Sequence, residues 1–397
     1  ILEDLYREFG IPKYKRPKQN IIDDGSIIRT GSLEIEVLSS SHTCFDSFGF
    51  IIRTPNTAVY HSGDMKIDSS TYFRKATNTK RLKQLAADIK FAVTDFYGIY
   101  DDGYAVKEVT TFKKLVCLMR KSRKGKIFLP VYPTHPEMYI IAFLAALKLK
   151  KNVIFFGNPD FYSYLQRIID YGISFDKMAG KRIKVIYNHD RDEIAKLKDN
   201  YVVIGTYNHV SQAFDANAEN CFGIITAKTF FNPLKGQLNA HNISFTDVDA
   251  VPELQGFGHG FLGDYEYLNF ILNRPVFIPT HCPVFVIDNF RELAAYMNMK
   301  LLPDTPRNNE IYRLKGSEAV KVSALPAKWL VVVYNDDFAY LTEVFLKETS
   351  GMGFLKRTIS NRRCQKRFKM FLHQRRKGAC ELPPKIFRKP FVYREPQ

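Results

Sequence analysis

From about residue 21 to residue 95 the chain reads as short apolar runs broken by turn residues. The segments IIRTGSLEIEVLSS, SFGFIIRTPN, TAVYHSGD and KFAVTDFYG are rich in β-branched and aromatic side chains and predict strands. From about residue 108 the pattern changes. Helical stretches at 109–123, 136–150, 161–171 and 191–198 alternate with the apolar runs KIFLPVY, NVIFFGN, RIKVIYN and YVVIGTYN. Strands separated in this way by helices imply a parallel sheet covered on both faces. After about Asn220 strands and loops return in CFGIITAKTF, ISFTDVDAV and PVFIPTHC, with one clear helix at 263–272. The simplest organisation is a parallel α/β unit inserted into a β-rich layer. From residue 317 the pattern predicts another strand, KWLVVVYN, and a helix at 337–347. The opening ILEDLYREFG reads as a helix that starts on Ile rather than Met, so a piece of a longer polypeptide is expected. No internal repeat stands out.

Composition narrows the class. With 397 residues, 45% hydrophobic and 14% aromatic, the chain can bury a sizeable core, as two or three domains. No apolar run reaches the length of a membrane span. The six cysteines include no C-x-x-C pair, which argues against a zinc ribbon and a disulfide scaffold and makes a reducing cytoplasm the expected compartment. The formal net charge of +17 favours a polyanionic partner, nucleic acid first and an anionic membrane surface second. Between Leu355 and Gln397 there are 14 Lys and Arg against two Glu, interleaved with Phe368, Phe371, Phe387, Phe391 and Tyr393. Such a mixture can pair phosphates and stack bases. A solvated extension fits the same composition.

Four residues are placed for chemistry: His42, Asp64, His259 in G-F-G-H-G, and His281 in F-I-P-T-H-C. His42 and Asp64 are predicted at neighbouring strand ends on one edge of a sheet. Imidazole and carboxylate suit zinc, and a catalytic zinc keeps a position open for water. Singly, each histidine reads first as a satisfied structural residue; the flanking sequences make them specific.

The stretches S-S-H-T-C-F-D-S-F-G-F-I-I-R-T-P and Y-H-S-G-D-M-K resemble the later metal motifs of the metallo-β-lactamase fold in its ribonuclease J version. V-T-D-F-Y followed by D-G-Y-A-V-K-E is similar to the first β-CASP motif, with Asp95 as its acidic residue. G-H-G-F-L-G-D-Y-E-Y-L-N-F-I-L-N-R-P-V-F-I-P-T-H resembles a further segment of that family, and order and spacing agree from about residue 25 to 315. The resemblance implies an α/β fold: a metallo-β-lactamase αββα sandwich with an inserted parallel α/β β-CASP domain and a small basic C-terminal region. The first part of the metallo-β-lactamase domain would be residues 1–105, N-terminally incomplete. The insertion would be 106–218, the second part 219–316 and the basic region 317–397.

By the same resemblance His42 is a terminal zinc ligand, Asp64 bridges two zinc ions and His281 binds the second. His259 contacts the scissile phosphate, and Asp95 orients a ligand imidazole. The residues Gln255, Gly256, Phe257, Gly258 and His259 would meet the substrate. The implied partner is single-stranded RNA, cleaved from an end or internally. The implied assembly is a homo- or hetero-oligomer with a ribonuclease J-type subunit, in the cytoplasm and away from membranes.

The chain also departs from the family. The signature H-x-H-x-D-H is absent from the 397 residues, and the resemblance places it ahead of Ile1. Gln255 and Phe257 stand where the family grips a 5′ phosphate with a histidine and a serine. D-F-Y-G replaces D-S-T-N, Thr134-His135 replaces a Ser-Asn, and G-T-Y-N-H-V-S-Q replaces G-S-Q-G-E-P. Two readings therefore stand. One is a zinc-dependent RNA phosphodiester hydrolase. The other is a catalytically impaired RNA-binding paralogue that supports an active partner. A small-molecule metallo-β-lactamase is disfavoured by the inserted α/β unit and the basic tail.

Overall fold

Alternating apolar strands need a partner on each exposed ladder and a cover on each apolar face, and two large sheets meet that need here. The computed structural model describes residues 14, 20–72, 75–122, 125–132, 135–187, 194, 196–197, 200–206, 220–226, 232–256, 258–282, 284–302, 310–324, 328–334, 339–345 and 393–394. By its internal contacts the chain divides into two units, Ile1–Pro303 and Asp304–Gln397.

The first sheet of the larger unit is built from two stretches of chain far apart in sequence. Strands β1 (Ile27–Thr30), β2 (Leu33–Ser39), β3 (Phe48–Arg53), β4 (Ala58–His61) and β5 (Ile89–Asp95) come from the first. Strands β12 (Val276–Thr280) and β13 (Lys300–Leu301) come from the second, and the order is β1-β2-β3-β4-β5-β12-β13. Neighbours from β1 to β4 are antiparallel, whereas β4, β5, β12 and β13 run parallel.

The second sheet comes from the stretch between β5 and β12. Its strands are β6 (Lys126–Pro130), β7 (Asn152–Phe156), β8 (Val185–Ile186), β9 (Tyr201–Gly205), β10 (Cys221–Ile224) and β11 (Ser244–Thr246). Their order is β11-β10-β6-β9-β7-β8, and every pair is parallel. Both faces are covered, as the continuous apolar runs predict. Ile127, Leu129, Val153, Phe155, Val202 and Ile204 face one core, with Leu115, Met119, Tyr139 and Phe143 of the helices α2 (Glu108–Lys121) and α3 (Pro136–Lys148). Phe128, Ile154 and Val203 face the other core. The fold is thus a mixed α/β structure with parallel strands in both sheets.

Four helices lie outside the sequence expectation, which had read 21–95 as β-rich, no helix between 171 and the strand RIKVIYN, and one helix after Asn220. Helix α1 (Thr79–Leu85) is capped by the Asn78 side chain, which accepts from the Arg81 N–H, and buries Leu82 and Leu85. After α4 (Pro159–Asp170) and α5 (Phe175–Ala179) come α6 (Asn232–Ala240), α7 (Leu262–Ile271) and α8 (Val284–Tyr296). Leu234 and Leu238 on α6, and Val286, Phe290 and Ala294 on α8, are spaced by four residues and buried. A β-branched start lowers local helix propensity, but burial of such a stripe outweighs the few tenths of a kcal/mol involved.

In the second unit β14 (Glu310–Lys315) pairs with β15 (Glu318–Ala324). The strand expected at KWLVVVYN is β16 (Lys328–Tyr334). The helix expected at 337–347 is instead strand β17 (Ala339–Phe345), antiparallel to β16 from Lys328↔Phe345 to Tyr334↔Ala339. An adjacent strand offers this segment a full ladder, which overrides a weak helical preference. Strand β18 (Tyr393–Arg394) pairs on the other side of β16. The opening ILEDLYREFG, most of the helix expected at 191–198 and nearly all of the basic stretch 355–397 lie outside the described residues.

Candidate metal centre

The larger unit gathers its acidic and imidazole groups along the carboxyl edge of the parallel strands, where α/β sheets form ligand crevices. Asp95 ends β5, His281 follows β12, and Asp64 lies three residues beyond β4. His42 follows β2, so β3 separates its strand from that of Asp64; the two strands share an edge but are not neighbours. Gly63 makes the turn into Asp64. It takes φ +58°, and a Cβ there would stand 2.7 Å from the Phe48 carbonyl oxygen. His281 adopts φ +47°, a left-handed conformation that costs a histidine about 1–3 kcal/mol and clusters at functional positions.

The carboxylate of Asp64 lies between two imidazoles. Its Oδ2 is 3.6 Å from His42 Nε2, and its Oδ1 is 3.0 Å from His281 Nδ1. His42 Nδ1 donates to the Gly258 carbonyl at 2.9 Å, because a carbonyl can only accept; this fixes the tautomer and leaves Nε2 as a lone pair facing Asp64. Burial pushes the His42 imidazole down to about 4, so it is neutral and able to ligate at physiological pH. His281 behaves oppositely. Hydrogen bonds to Asp64 and then Asp95 push it up to about 10 when no metal competes for the nitrogen.

Asp95 organises the second half of the cluster. It accepts from His259 Nδ1 at 2.6 Å and from the N–H groups of Met65 at 3.1 Å and Tyr97 at 2.9 Å, and lies 3.5 Å from His281 Nδ1. Burial would raise this carboxyl, but the bonds from His259 and His281 outweigh it and hold it at about 2. The loop bearing His259 is tied down on both sides. The Gly260 N–H donates to the Met65 carbonyl, and both the Phe261 and the Ala105 N–H donate to Asp264 Oδ2.

Two groups of donors lie close enough to hold a metal: His42, Asp64 and His259, and Asp95, His259 and His281. Asp64, expected to bridge two ions, meets His42 and His281 through different oxygens. A set of imidazole nitrogens and carboxylate oxygens suits zinc, and the fixed His42 tautomer is the second-sphere support such ligands use. On chemistry and geometry the residues present fit a metal.

Gln255, Gly256 and Gly258 precede His259 on the same loop, and a Cβ at Gly256 would press on the Met138 sulfur at 2.6 Å. Phe257 and Thr134 lie outside the described residues, as does the stretch Tyr207–Gln212. His135, noted in the sequence only as a departure, enters the cluster. It is pushed down to about 4 by burial and then by its neighbours His42, His259 and Lys66. Tyr97 is the other addition; its ring centroid is 4.8 Å from that of His259 and 5.5 Å from that of His281. Like His135, it stood in the sequence only within a departure, D-F-Y-G in place of D-S-T-N. Neither Cys44 nor Cys282 forms a disulfide, and burial pushes the Cys282 thiol up to about 11, in line with a packing role.

Gly258 gives a direct check on this packing. A Cβ there would stand 2.5 Å from His42 Nδ1 and 2.6 Å from Thr43 Cγ2. Gly258→Ala is expected to destabilise the fold by about 1–3 kcal/mol, the range for overpacking. Thermal unfolding measures that loss, and zinc titration should show weaker binding as the His42 ring is displaced.

No family model matches the chain. Among curated proteins, ribonuclease J of Thermus thermophilus is 22% identical over 383 residues, which is 89% of this chain and 63% of that protein. Ribonuclease J 2 of Staphylococcus aureus is 23% identical over 145 residues, 36% of this chain and 26% of that protein. The chain therefore spans less than two thirds of the length of either. A solved structure of a protein of unknown function from Enterococcus faecalis superposes with a TM-score of 0.52 at 16% identity, covering 81% of this chain and 73% of the other; it speaks for the fold alone. No helix among the described residues is long and apolar enough to cross a membrane. With the similarity to the Thermus thermophilus protein running over nearly its whole length, the chain is a distant relative of the ribonuclease J family.

Proposed function

We propose that this chain belongs to a zinc-dependent RNA phosphodiester hydrolase. The observation that carries the reading is the Asp64 carboxylate, which turns one oxygen to His42 and the other to His281 in a chain related to ribonuclease J. In this reading the seven-stranded sheet belongs to a metallo-β-lactamase sandwich, and the six-stranded sheet, which takes in β10 and β11 past the expected bound of 218, to its β-CASP insertion.

His42, Asp64 and His281 would hold zinc, two ions once an upstream H-x-H-x-D-H segment adds its ligands. When bound, the metal lowers the pKa of water and offsets charge on the phosphate. His42 is kept neutral by burial, so no proton competes for Nε2 near pH 7. Asp95 fixes His259 through Nδ1, which leaves Nε2 for the substrate; with both ring nitrogens protonated, the Asp95 carboxylate offsets the imidazolium charge and Nε2 can donate its proton toward the leaving oxygen. Asp95 is a positioning residue, reaching the reaction only through the imidazoles.

The test is cleavage of a 5′-monophosphorylated single-stranded RNA by the polypeptide with its upstream segment. Zinc should support the activity, and a chelator should remove it. Gln255 at the phosphate-gripping position favours the second reading, an impaired RNA-binding paralogue within a ribonuclease J assembly. RNA binding without cleavage by the zinc-loaded polypeptide would decide for that reading.

The partner is proposed to be single-stranded RNA, and the stretch 355–397 a contributor to its binding. Deleting it removes 14 of the 58 Lys and Arg. The slope of log affinity against log salt should then flatten by about 0.7 for each phosphate that the tail no longer neutralises. An unchanged slope would show that the tail does not touch the RNA.

A further inference from the structure

Tyr97 is the large aromatic side chain placed directly on the candidate metal centre. Its ring centroid, that of His259 and that of His281 form a nearly equilateral triangle, with sides of 4.8, 5.5 and 5.0 Å. Both imidazoles therefore lie to one side of the phenol. The residue is nonetheless 47% exposed, so the rest of its surface is presented to solvent at the mouth of the site. An aromatic residue that only filled the core would be covered all round, as the preceding Phe96 is.

The backbone beneath the ring is held firmly. The Tyr97 N–H donates to Asp95 Oδ1 at 2.9 Å, and the Phe96 N–H donates to the Thr280 carbonyl at 3.1 Å. The carboxylate that orients His259 thus also sets Tyr97. Tyr132, just past β6, adds a second ring pair, its centroid 5.0 Å from that of His135 with the planes tilted by 51°. A firmly held ring that is about half exposed beside the imidazoles is what aromatic platforms offer to an unstacked base. Such stacking tolerates any base, because every base has a π face.

We infer that Tyr97 is a stacking platform for the nucleobase next to the phosphate held at the centre. The inference rests on the RNA-hydrolase reading and adds a contact to the base, where the metal ligands address only the phosphate. The platform acts in binding and registration, so its removal falls on affinity and KM rather than on the chemical step.

The test compares Tyr97→Ala, Tyr97→Leu and Tyr97→Phe in the full polypeptide. The probe is a fluorescein-labelled single-stranded octaadenylate in EDTA, followed by anisotropy. Tyr97→Ala and Tyr97→Leu are expected to weaken binding about 5- to 150-fold, the range for one stacked base, while Tyr97→Phe keeps the affinity. Octamers with an abasic residue at successive positions should reveal one position whose base matters to wild type but not to Tyr97→Ala. Circular dichroism confirms that each variant folds, and Tyr97→Leu keeps the bulk against the imidazoles. Wild-type affinity in Tyr97→Ala, equal losses in Tyr97→Ala and Tyr97→Phe, or no binding of the octamer by wild type each overturns the platform. Failure of the hydrolase reading looks different: zinc-loaded wild type leaves the octamer intact, while the dependence of binding on the ring persists.

Discussion

Replacing His281 by Asn is expected to remove zinc-dependent RNA cleavage while leaving the fold intact. The imidazole joins the two halves of the cluster, with Nδ1 3.0 Å from Asp64 Oδ1 and 3.5 Å from Asp95 Oδ1. Loss of a residue that merely supports a ligand costs about 10- to 100-fold in metal affinity or activity, so loss of the ligand itself should exceed about 100-fold. Asn is the better probe than Ala because the residue sits at φ +47°. Asn tolerates the left-handed region, whereas Ala would add backbone strain to the missing ligand. His281→Ala should abolish cleavage as well, with a lower melting temperature. Elemental analysis should find about two zinc ions in the wild-type polypeptide, as a two-metal site requires, and fewer in either variant. Cleavage that survives both substitutions would defeat the zinc-hydrolase reading.

The second large effect falls on stability. Asp95 is 1% exposed and takes hydrogen bonds from His259, Met65 and Tyr97, with His281 close by. Asp95→Asn keeps the shape but turns an amide NH2 toward groups that are themselves donors. Breaking a buried charged pair in this way costs about 3–5 kcal/mol. The pH dependence has a definite sign. The carboxyl is held at about 2 in the folded chain, below its ordinary value of 3.8. Its contribution is therefore present above about pH 4 and lost as pH falls toward 2. For a shift of this size the titrating part is about 2 kcal/mol. Urea midpoints of the metal-free chain should differ most between wild type and Asp95→Asn at about pH 5–6, and the gap should narrow toward pH 2. A gap of the same width at pH 2.5 and pH 6 would refute this account of Asp95.

The buried strands of the parallel sheet were plain in the sequence, because Ile127–Leu129, Val153–Phe155 and Val202–Ile204 are apolar on both faces and could pack only between two layers. Helices α1, α5, α6 and α8 were missed, since their buried residues make sense only against a surface built by distant chain. Strand β17 was misread for the same reason: its partner β16, not its composition, decides its conformation. At the site, His42, Asp64, Asp95, His259 and His281 could be picked out from flanking motifs. How Asp64 divides its oxygens, and the entry of Tyr97 and His135, could not.

By itself the sequence determined the local pieces. Apolar runs set the strands, Gly63 sets the turn before Asp64, and the histidines stand at strand ends or in the Gly-rich loop. Only the tertiary structure decided what those pieces do together. The parallel order of β4, β5 and β12 brings Asp64, Asp95 and His281 to one edge, although Asp95 and His259, which share a hydrogen bond of 2.6 Å, are 164 residues apart in the chain. The physical reason is range. A side chain's preference for strand or turn depends on near neighbours, whereas the tautomer of His42, the charge on Asp95 and the place of Tyr97 beside two imidazoles depend on groups that only folding brings within a few ångströms.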